Sequence, residues 1–97
     1  MHPIRVLLVD DSPHNRVLIR AILEAEGYSV TEADTGEAAV DSFRAEPFDL
    51  MILDLVLPGL DGFGVLKAVK GTPRAGDTPV LVMSALGEEA TRIRALE

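Results

Sequence analysis

Short apolar runs alternate with amphipathic stretches along the chain, and this alternation predicts an α/β fold. Residues 4–9, 50–53 and 79–83 are mostly apolar, which is typical of strands buried on both faces of a parallel sheet. Residues 29–33 form a half-polar run, as expected for a strand at the edge of a sheet. The helical spacing between these runs predicts the crossovers that join parallel strands.

The first predicted helix follows the first strand. It begins at Ser12, an N-cap residue, with Pro13 at the first helical position, and it ends before Gly27. Ile19 and Leu23 form a second apolar stripe, which predicts a neighbour other than the sheet. The stripe predicted to face the sheet consists of Val17, Leu18, Ala21, Ile22 and Ala25.

Three further helices are predicted at residues 36–45, at residues 62–70 and from residue 88 onward. Thr35 is expected to cap the second helix and Asp61 the third. The residues predicted to face the core are Ala39, Val40 and Phe43 in the second helix, Phe63, Leu66 and Val69 in the third, and Ala90, Ile93 and Leu96 in the fourth.

Composition narrows the class of protein. A chain of 97 residues suits one domain, and a net charge of −7 argues against a nucleic-acid surface, which requires clustered basic residues. No run of eighteen apolar residues occurs, so we expect no membrane span. The chain has no cysteine, which excludes disulfides and thiolate metal sites. We expect a cytoplasmic location.

Acidic residues follow two of the predicted buried strands. Asp10 and Asp11 come directly after the first strand, Asp54 ends the third, and Ser84 ends the fourth. Because sites in parallel α/β sheets form outside the carboxyl ends of the strands, these residues are expected to share one site.

Three neighbouring carboxylates repel one another and remain ionised together only if a cation offsets their charge. Oxygen ligands without histidine or cysteine favour Mg²⁺. An aspartate beside Mg²⁺ is a candidate nucleophile for a phosphoryl group. No glycine-rich phosphate loop with a following lysine is present, which argues against nucleotide binding.

Three motifs together resemble a response-regulator receiver domain: Asp10-Asp11 after the first strand, residues 54–62 after the third, and Ser84-Ala85 after the fourth. The resemblance covers residues 1–97. It implies a flavodoxin-like, doubly wound parallel sheet with strand order 2-1-3-4-5.

The resemblance also implies residue roles. Asp54 would accept a phosphoryl group from a sensor histidine kinase or phosphotransfer protein, and Ser84 would turn toward that group as part of a switch. Asp11, Asp54 and the backbone carbonyl of Val56 would bind Mg²⁺ directly, and Asp10 would bind it through water. The domain would be a regulatory phosphoacceptor that assists its own phosphorylation and dephosphorylation, not an enzyme.

The family pattern continues past the end of this sequence. Its fifth βα unit, with an active-site lysine and a switch aromatic, is expected to be absent, so the domain would be incomplete at its C-terminus. The fourth strand would then be an exposed edge, and Ile19 and Leu23 would face a missing helix. We therefore expect a homodimer or a swapped oligomer through the fourth strand or the first helix.

One other function remains open, and a second is disfavoured by the residues. A binding or assembly module would keep the receiver fold and leave its phosphorylation site impaired or unused. A phosphatase with an aspartyl phosphate needs a second acid two residues after the nucleophile, where this chain has Val56. The kinase, the stimulus and any output domain are not determined by these residues.

Overall fold

A mixed β-sheet organises the protein, whose computed structural model describes residues 3–54, 62–71, 78–85 and 91–96. The strands are β1 (Arg5–Val9), β2 (Ser29–Ala33), β3 (Leu50–Asp54), β4 (Val80–Ala85) and β5 (Thr91–Leu96). The helices in the described part are α1 (Pro13–Ala25), α2 (Gly36–Ala45) and α3 (Gly62–Lys70). None of these helices is long and apolar enough to cross a membrane.

Strand order confirms the predicted flavodoxin-like topology over the first four strands. The order is β2-β1-β3-β4-β5, and β2, β1, β3 and β4 run parallel. Val9 at the end of β1 lies beside both Ala33 of β2 and Leu53 of β3. Because these parallel strands end level with one another, the residues that follow them meet at one edge of the sheet.

The core divides between the two faces of the sheet because successive strand residues point to opposite sides. Leu7 and Val9 pack on the face covered by α2 and α3, whereas Val6 and Leu8 pack on the face covered by α1. The α2 residues buried there include the three predicted ones, Ala39, Val40 and Phe43.

Local signals set both ends of α1 and the start of α2 as predicted. The Ser12 hydroxyl accepts a hydrogen bond from the backbone N–H of Asn15 at 3.2 Å, which caps α1. The Thr35 hydroxyl accepts one from the backbone N–H of Ala38 at 3.1 Å, which caps α2. Gly27 follows α1 with φ of 88°, a left-handed conformation that favours glycine.

The predicted orientation of α1 is wrong. Ile19 and Leu23 pack against the sheet, beside Val6, Leu8 and Ile52. The stripe expected to face the sheet is instead exposed, with Val17 69%, Leu18 55% and Ile22 61% accessible. Both stripes have helical spacing, so periodicity alone could not rank them. Arg16 and Arg20, which form ion pairs with Glu32 of β2, lie on the same side of the helix as Ile19 and Leu23.

A matched pair of substitutions tests this orientation. Leu18→Ala is expected to change the free energy of unfolding by less than about 0.5 kcal/mol, because the side chain is already mostly in water. Leu23→Ala, the same change on the packed face, is expected to cost about 2 kcal/mol. Urea denaturation of both variants measures the difference, and a larger loss in Leu18→Ala would contradict the orientation.

The packing of α3 agrees only in part with the predicted core face. The prediction for Phe63 is wrong, because its side chain is 65% exposed. Val69 is buried and Leu66 is partly buried, as predicted, and Val65 is buried as well. Val65 and Val69, one helical turn apart, define the packed face, and Phe63 lies two residues from Val65 and so on another side. The predicted cap, Asp61, lies outside the described residues.

The predicted fourth helix from residue 88 is wrong for the described residues, where a strand forms instead. This strand runs antiparallel to its neighbour and carries no lysine, so it is not the parallel fifth βα unit that the resemblance implies for complete domains. Residues 91–96 form β5, which pairs antiparallel with β4, with Ser84 opposite Arg92. Residues 92–95 alternate polar and apolar types, and pairing satisfies the backbone groups that β4 would otherwise leave open. The fourth strand is therefore not an exposed edge, and association through that edge is not supported.

Candidate functional site

The fold brings together the three carboxylates expected at the carboxyl edge of the sheet. Asp10 and Asp11 follow β1, and Asp54 is the last residue of β3. One carboxylate oxygen from each residue lies within 4.8 Å of the others. Asp10 is buried at 1% accessibility, Asp54 is half-buried and Asp11 is exposed. These three residues are called the acidic cluster below.

Asp10 is fixed by contacts to its backbone and to both carboxylate oxygens. Its N–H donates to the carbonyl of Ala33 at 3.1 Å, and its carbonyl accepts from Arg16 Nη1 at 2.7 Å. Its Oδ1 accepts from the N–H of Ser12 at 2.9 Å, and its Oδ2 lies 3.5 Å from the Asn15 amide nitrogen. Because the carboxylate is already engaged within the chain, it is suited to an indirect role at a cation site.

The three carboxylates of the acidic cluster repel one another when they are ionised. At 4.8 Å, the upper bound on their separations, each ionised pair costs about 1 kcal/mol in a water-like dielectric and about 3 kcal/mol at an effective dielectric of 20. A cation placed among these oxygens would offset this cost.

The donor set fits a small, hard cation. The acidic cluster offers carboxylate oxygens only, and oxygen is the ligand that Mg²⁺ prefers. Ligand oxygens around one Mg²⁺ ion lie about 3 to 4 Å apart, and the three oxygens lie within 4.8 Å of one another. They are therefore close enough together to surround one such ion, directly or through water.

Two other predicted site residues are placed only in part. Ser84 lies in β4, one residue beyond Met83, which is the register partner of Asp54. Its backbone is therefore at the same edge of the sheet as the acidic cluster. Val56 lies outside the described residues, so its proposed carbonyl role stays a prediction.

Arg16 and Glu32 support the acidic cluster, and sequence reasoning missed both. Arg16 donates from Nε to Glu32 Oε1 at 2.9 Å and from Nη1 to the Asp10 carbonyl. Arg20 donates to the other oxygen of Glu32 and, at 3.0 Å, to Glu24. In the sequence, Glu32 stands out only as a charged residue inside a half-apolar edge strand. Its two arginine partners lie 16 and 12 residues away along the chain, so local spacing does not pair them with it.

The two guanidinium groups lower the pKa of Glu32 below its ordinary value. The hydrogen bond from Arg20 contributes most, partial burial opposes the shift, and the hydrogen bond from Arg16 adds to it. A carboxyl whose folded pKa is lowered stabilises the fold above its unfolded pKa, and this stabilisation is lost as pH falls through the folded pKa.

Because the pKa of Glu32 is lowered in the folded state, the effect of Glu32→Gln on stability should depend on pH. At neutral pH the variant should be less stable than the parent chain, and the difference should shrink as pH falls below the ordinary glutamate pKa of about 4.3. Denaturant unfolding from pH 7 to pH 3 measures this, with Glu26→Gln as the control at an exposed carboxylate. A difference that stays constant or grows toward acid pH would contradict the assignment.

The sequence of this chain is similar to one protein family and to several known proteins. A family model described as the response regulator receiver domain matches residues 6–97. The gliding motility regulatory protein of Myxococcus xanthus is 39% identical over 94 residues, which cover 97% of this chain. The transcriptional regulatory protein ResD of Bacillus subtilis is 37% identical over 93 residues, which cover 96% of this chain.

The chain spans 12% of the length of the first relative and 38% of the second. Among solved structures, it resembles the receiver domain of the sensor histidine kinase PA1611 from Pseudomonas aeruginosa, with a TM-score of 0.84 and 31% identity. That match covers 87% of this chain and 69% of the other. The solved domain has a magnesium ion coordinated in its active site cleft.

Proposed function

This chain belongs to the response regulator receiver domain family, and we propose that Asp54 is the residue that accepts a phosphoryl group. The donor would be a phosphohistidine on a sensor histidine kinase or phosphotransfer protein. The observation that carries the proposal is the position of Asp54 at the end of β3, with its carboxylate among those of Asp10 and Asp11.

The step is a displacement at phosphorus. A carboxylate oxygen of Asp54 forms a bond to phosphorus while the bond from phosphorus to the donor's imidazole nitrogen breaks and leaves its electron pair on that nitrogen. The product is an aspartyl phosphate. Because Asp54 is half-buried at the sheet edge rather than inside the core, a donor group can approach it.

The other acids would hold Mg²⁺, whose charge offsets that of the carboxylates and of the incoming phosphoryl oxygens. We assign Asp11 and Asp54 as direct ligands, with the carbonyl of Val56 as a third. Asp10 would hold a bound water, in keeping with its burial and its engaged oxygens. A magnesium ion in the cleft of the similar PA1611 receiver domain supports this assignment.

Ser84 would donate a hydrogen bond to a phosphoryl oxygen on Asp54. Its place in β4, one residue past the register partner of Asp54, supports this role. The contact would then favour one of two arrangements at this end of the sheet and so alter the surface offered to partners. Through these residues the domain would assist both its phosphorylation and its dephosphorylation.

Phosphoryl incorporation from a small donor tests the proposal. The folded chain, incubated with acetyl phosphate, should gain one phosphoryl group by intact mass when Mg²⁺ is present and little when the metal is chelated. No mass gain in a folded, Mg²⁺-loaded sample would overturn the proposal.

The exposed stripe on α1 favours a second candidate, an assembly module. Val17, Leu18 and Ile22 are each more than half exposed on one helix face, and contiguous apolar surface is typical of interaction sites. Association that depends on concentration, but is insensitive to Mg²⁺ and to Asp54→Asn, would favour this candidate over phosphotransfer.

A further inference from the structure

Arg16 joins the end of β1 to the edge strand β2 at the point where the acidic cluster is formed. We propose that Arg16 is a positioning residue for cation binding at this cluster, acting through the backbone carbonyl of Asp10. The inference rests on the proposed function, because it assumes that Asp11 and Asp54 bind Mg²⁺.

The contact acts on the peptide that carries Asp11. Arg16 Nη1 donates to the Asp10 carbonyl oxygen at 2.7 Å, and that oxygen lies in the same rigid plane as the backbone nitrogen of Asp11. The N–H of Asp10 is held by Ala33 at 3.1 Å. With both sides of Asp10 held, the rotation of the Asp10–Asp11 peptide is set, and with it the direction in which the Asp11 carboxylate leaves the chain.

Arg16 is itself held in place. Its side chain is only 16% exposed, and its Nε donates to Glu32 Oε1 at 2.9 Å. Glu32 is held in turn by Arg20. A planar guanidinium with two directed hydrogen bonds transmits the position of β2 to the Asp10 carbonyl, which a flexible ammonium group could not do equally well.

Charge and geometry make opposite predictions for the loss of Arg16. If the guanidinium acted only as a nearby positive charge, its removal would strengthen binding of a cation to the acids. If it acts by positioning, its removal weakens binding, because groups that orient metal ligands typically contribute about tenfold or more in affinity. The direction of the change therefore identifies the mechanism.

The choice of cation gives a second discriminating measurement. Mg²⁺ requires near-ideal octahedral geometry, whereas Ca²⁺ accepts irregular sets of oxygen ligands. A loosely held Asp11 should therefore affect Mg²⁺ more than Ca²⁺. A general loss of stability would not alter the ratio of the two affinities in the protein that remains folded.

The experiment is calorimetric titration of Mg²⁺ and of Ca²⁺ into the parent chain, Arg16→Ala, Arg16→Lys and Arg20→Ala, well below each melting temperature. Arg16→Ala should bind Mg²⁺ about tenfold more weakly and lower the ratio of Mg²⁺ to Ca²⁺ affinity about fivefold. Arg16→Lys keeps the positive charge but loses the planar guanidinium group with its two directed hydrogen bonds, so it should also lower the ratio of Mg²⁺ to Ca²⁺ affinity. Arg20→Ala removes the same charge but leaves both Arg16 contacts, so its ratio should match the parent.

Each outcome either supports or overturns the proposed role of Arg16. An unchanged ratio in the folded Arg16 variants, or tighter Mg²⁺ binding in Arg16→Ala, would overturn the role of Arg16 while leaving the proposed function intact. An equal fall in Arg20→Ala would assign the effect to Glu32, which Arg20 also contacts, and would overturn the role of Arg16. A parent chain that binds no Mg²⁺ would overturn both the metal part of the proposed function and this inference. Should Arg16→Ala not fold, Arg16→Lys carries the same test.

Discussion

Asp54→Asn is expected to abolish phosphoryl incorporation. The amide has nearly the shape of the carboxylate but lacks its nucleophilic oxygen, so the rate of reaction with acetyl phosphate should fall by at least about 10³-fold. Intact mass after incubation with Mg²⁺ gives the extent of incorporation, and peptide mapping of the parent chain should place the group on the peptide that contains Asp54. Because the substitution removes one charge from the acidic cluster, the variant should remain folded.

The matched control is Asp41→Asn, the same change at an exposed position on α2, away from the sheet edge. This variant should react like the parent chain. Equal incorporation in Asp54→Asn, or a loss in Asp41→Asn alone, would show that another residue accepts the phosphoryl group.

Asp11→Asn is expected to have two opposite effects. Loss of a proposed direct ligand should weaken Mg²⁺ binding at least about a hundredfold, because the amide keeps one oxygen but no charge. In the absence of Mg²⁺ the same variant should be more stable than the parent chain by about 1 kcal/mol, since Asp11 is exposed and its repulsion from Asp10 and Asp54 is screened by water.

Calorimetric titration measures the first effect, and urea denaturation with and without saturating Mg²⁺ measures the second. With Mg²⁺ present, the parent chain should become the more stable protein, because ligand binding to the folded state adds to its stability. Asp34→Asn, an exposed acid that follows β2 at the same end of the sheet but outside the acidic cluster, is the control. Equal Mg²⁺ affinity in Asp11→Asn and the parent would remove Asp11 from the site.

Local sequence was sufficient to predict the strands and the chemical type of the site residues. Buried parallel strands require continuous apolar runs, and these runs end where Asp10 and Asp54 stand. Caps depend on one or two residues, so Ser12, Thr35 and Gly27 marked the helix ends correctly. Because parallel strands end at one edge, the pattern along the chain placed the three acids at that edge. The resemblance to a receiver domain supplied the strand order that makes β1 and β3 neighbours.

The packing of the helices could not be read in the same way. On α1, two apolar stripes with equal helical spacing competed for the sheet. The structure packs Ile19 and Leu23 against it, on the side of the helix where two arginines form ion pairs with a residue of β2. Helical periodicity is a property of ten or so neighbouring residues, whereas an arginine that meets a glutamate sixteen positions away depends on the finished sheet.

The last described segment shows the same difference between local sequence patterns and tertiary contacts. Residues 91–96 carry both helical and alternating patterns, and in the structure they pair with β4 as a strand, which depends on contact with a distant strand edge rather than on local spacing. The sequence by itself therefore determined the strands, the caps of α1 and α2 and the identity of the acidic residues, which are local properties. Only the tertiary structure decided which face of α1 is buried and which side chain holds the Asp10 carbonyl, because those choices depend on contacts between distant parts of the chain.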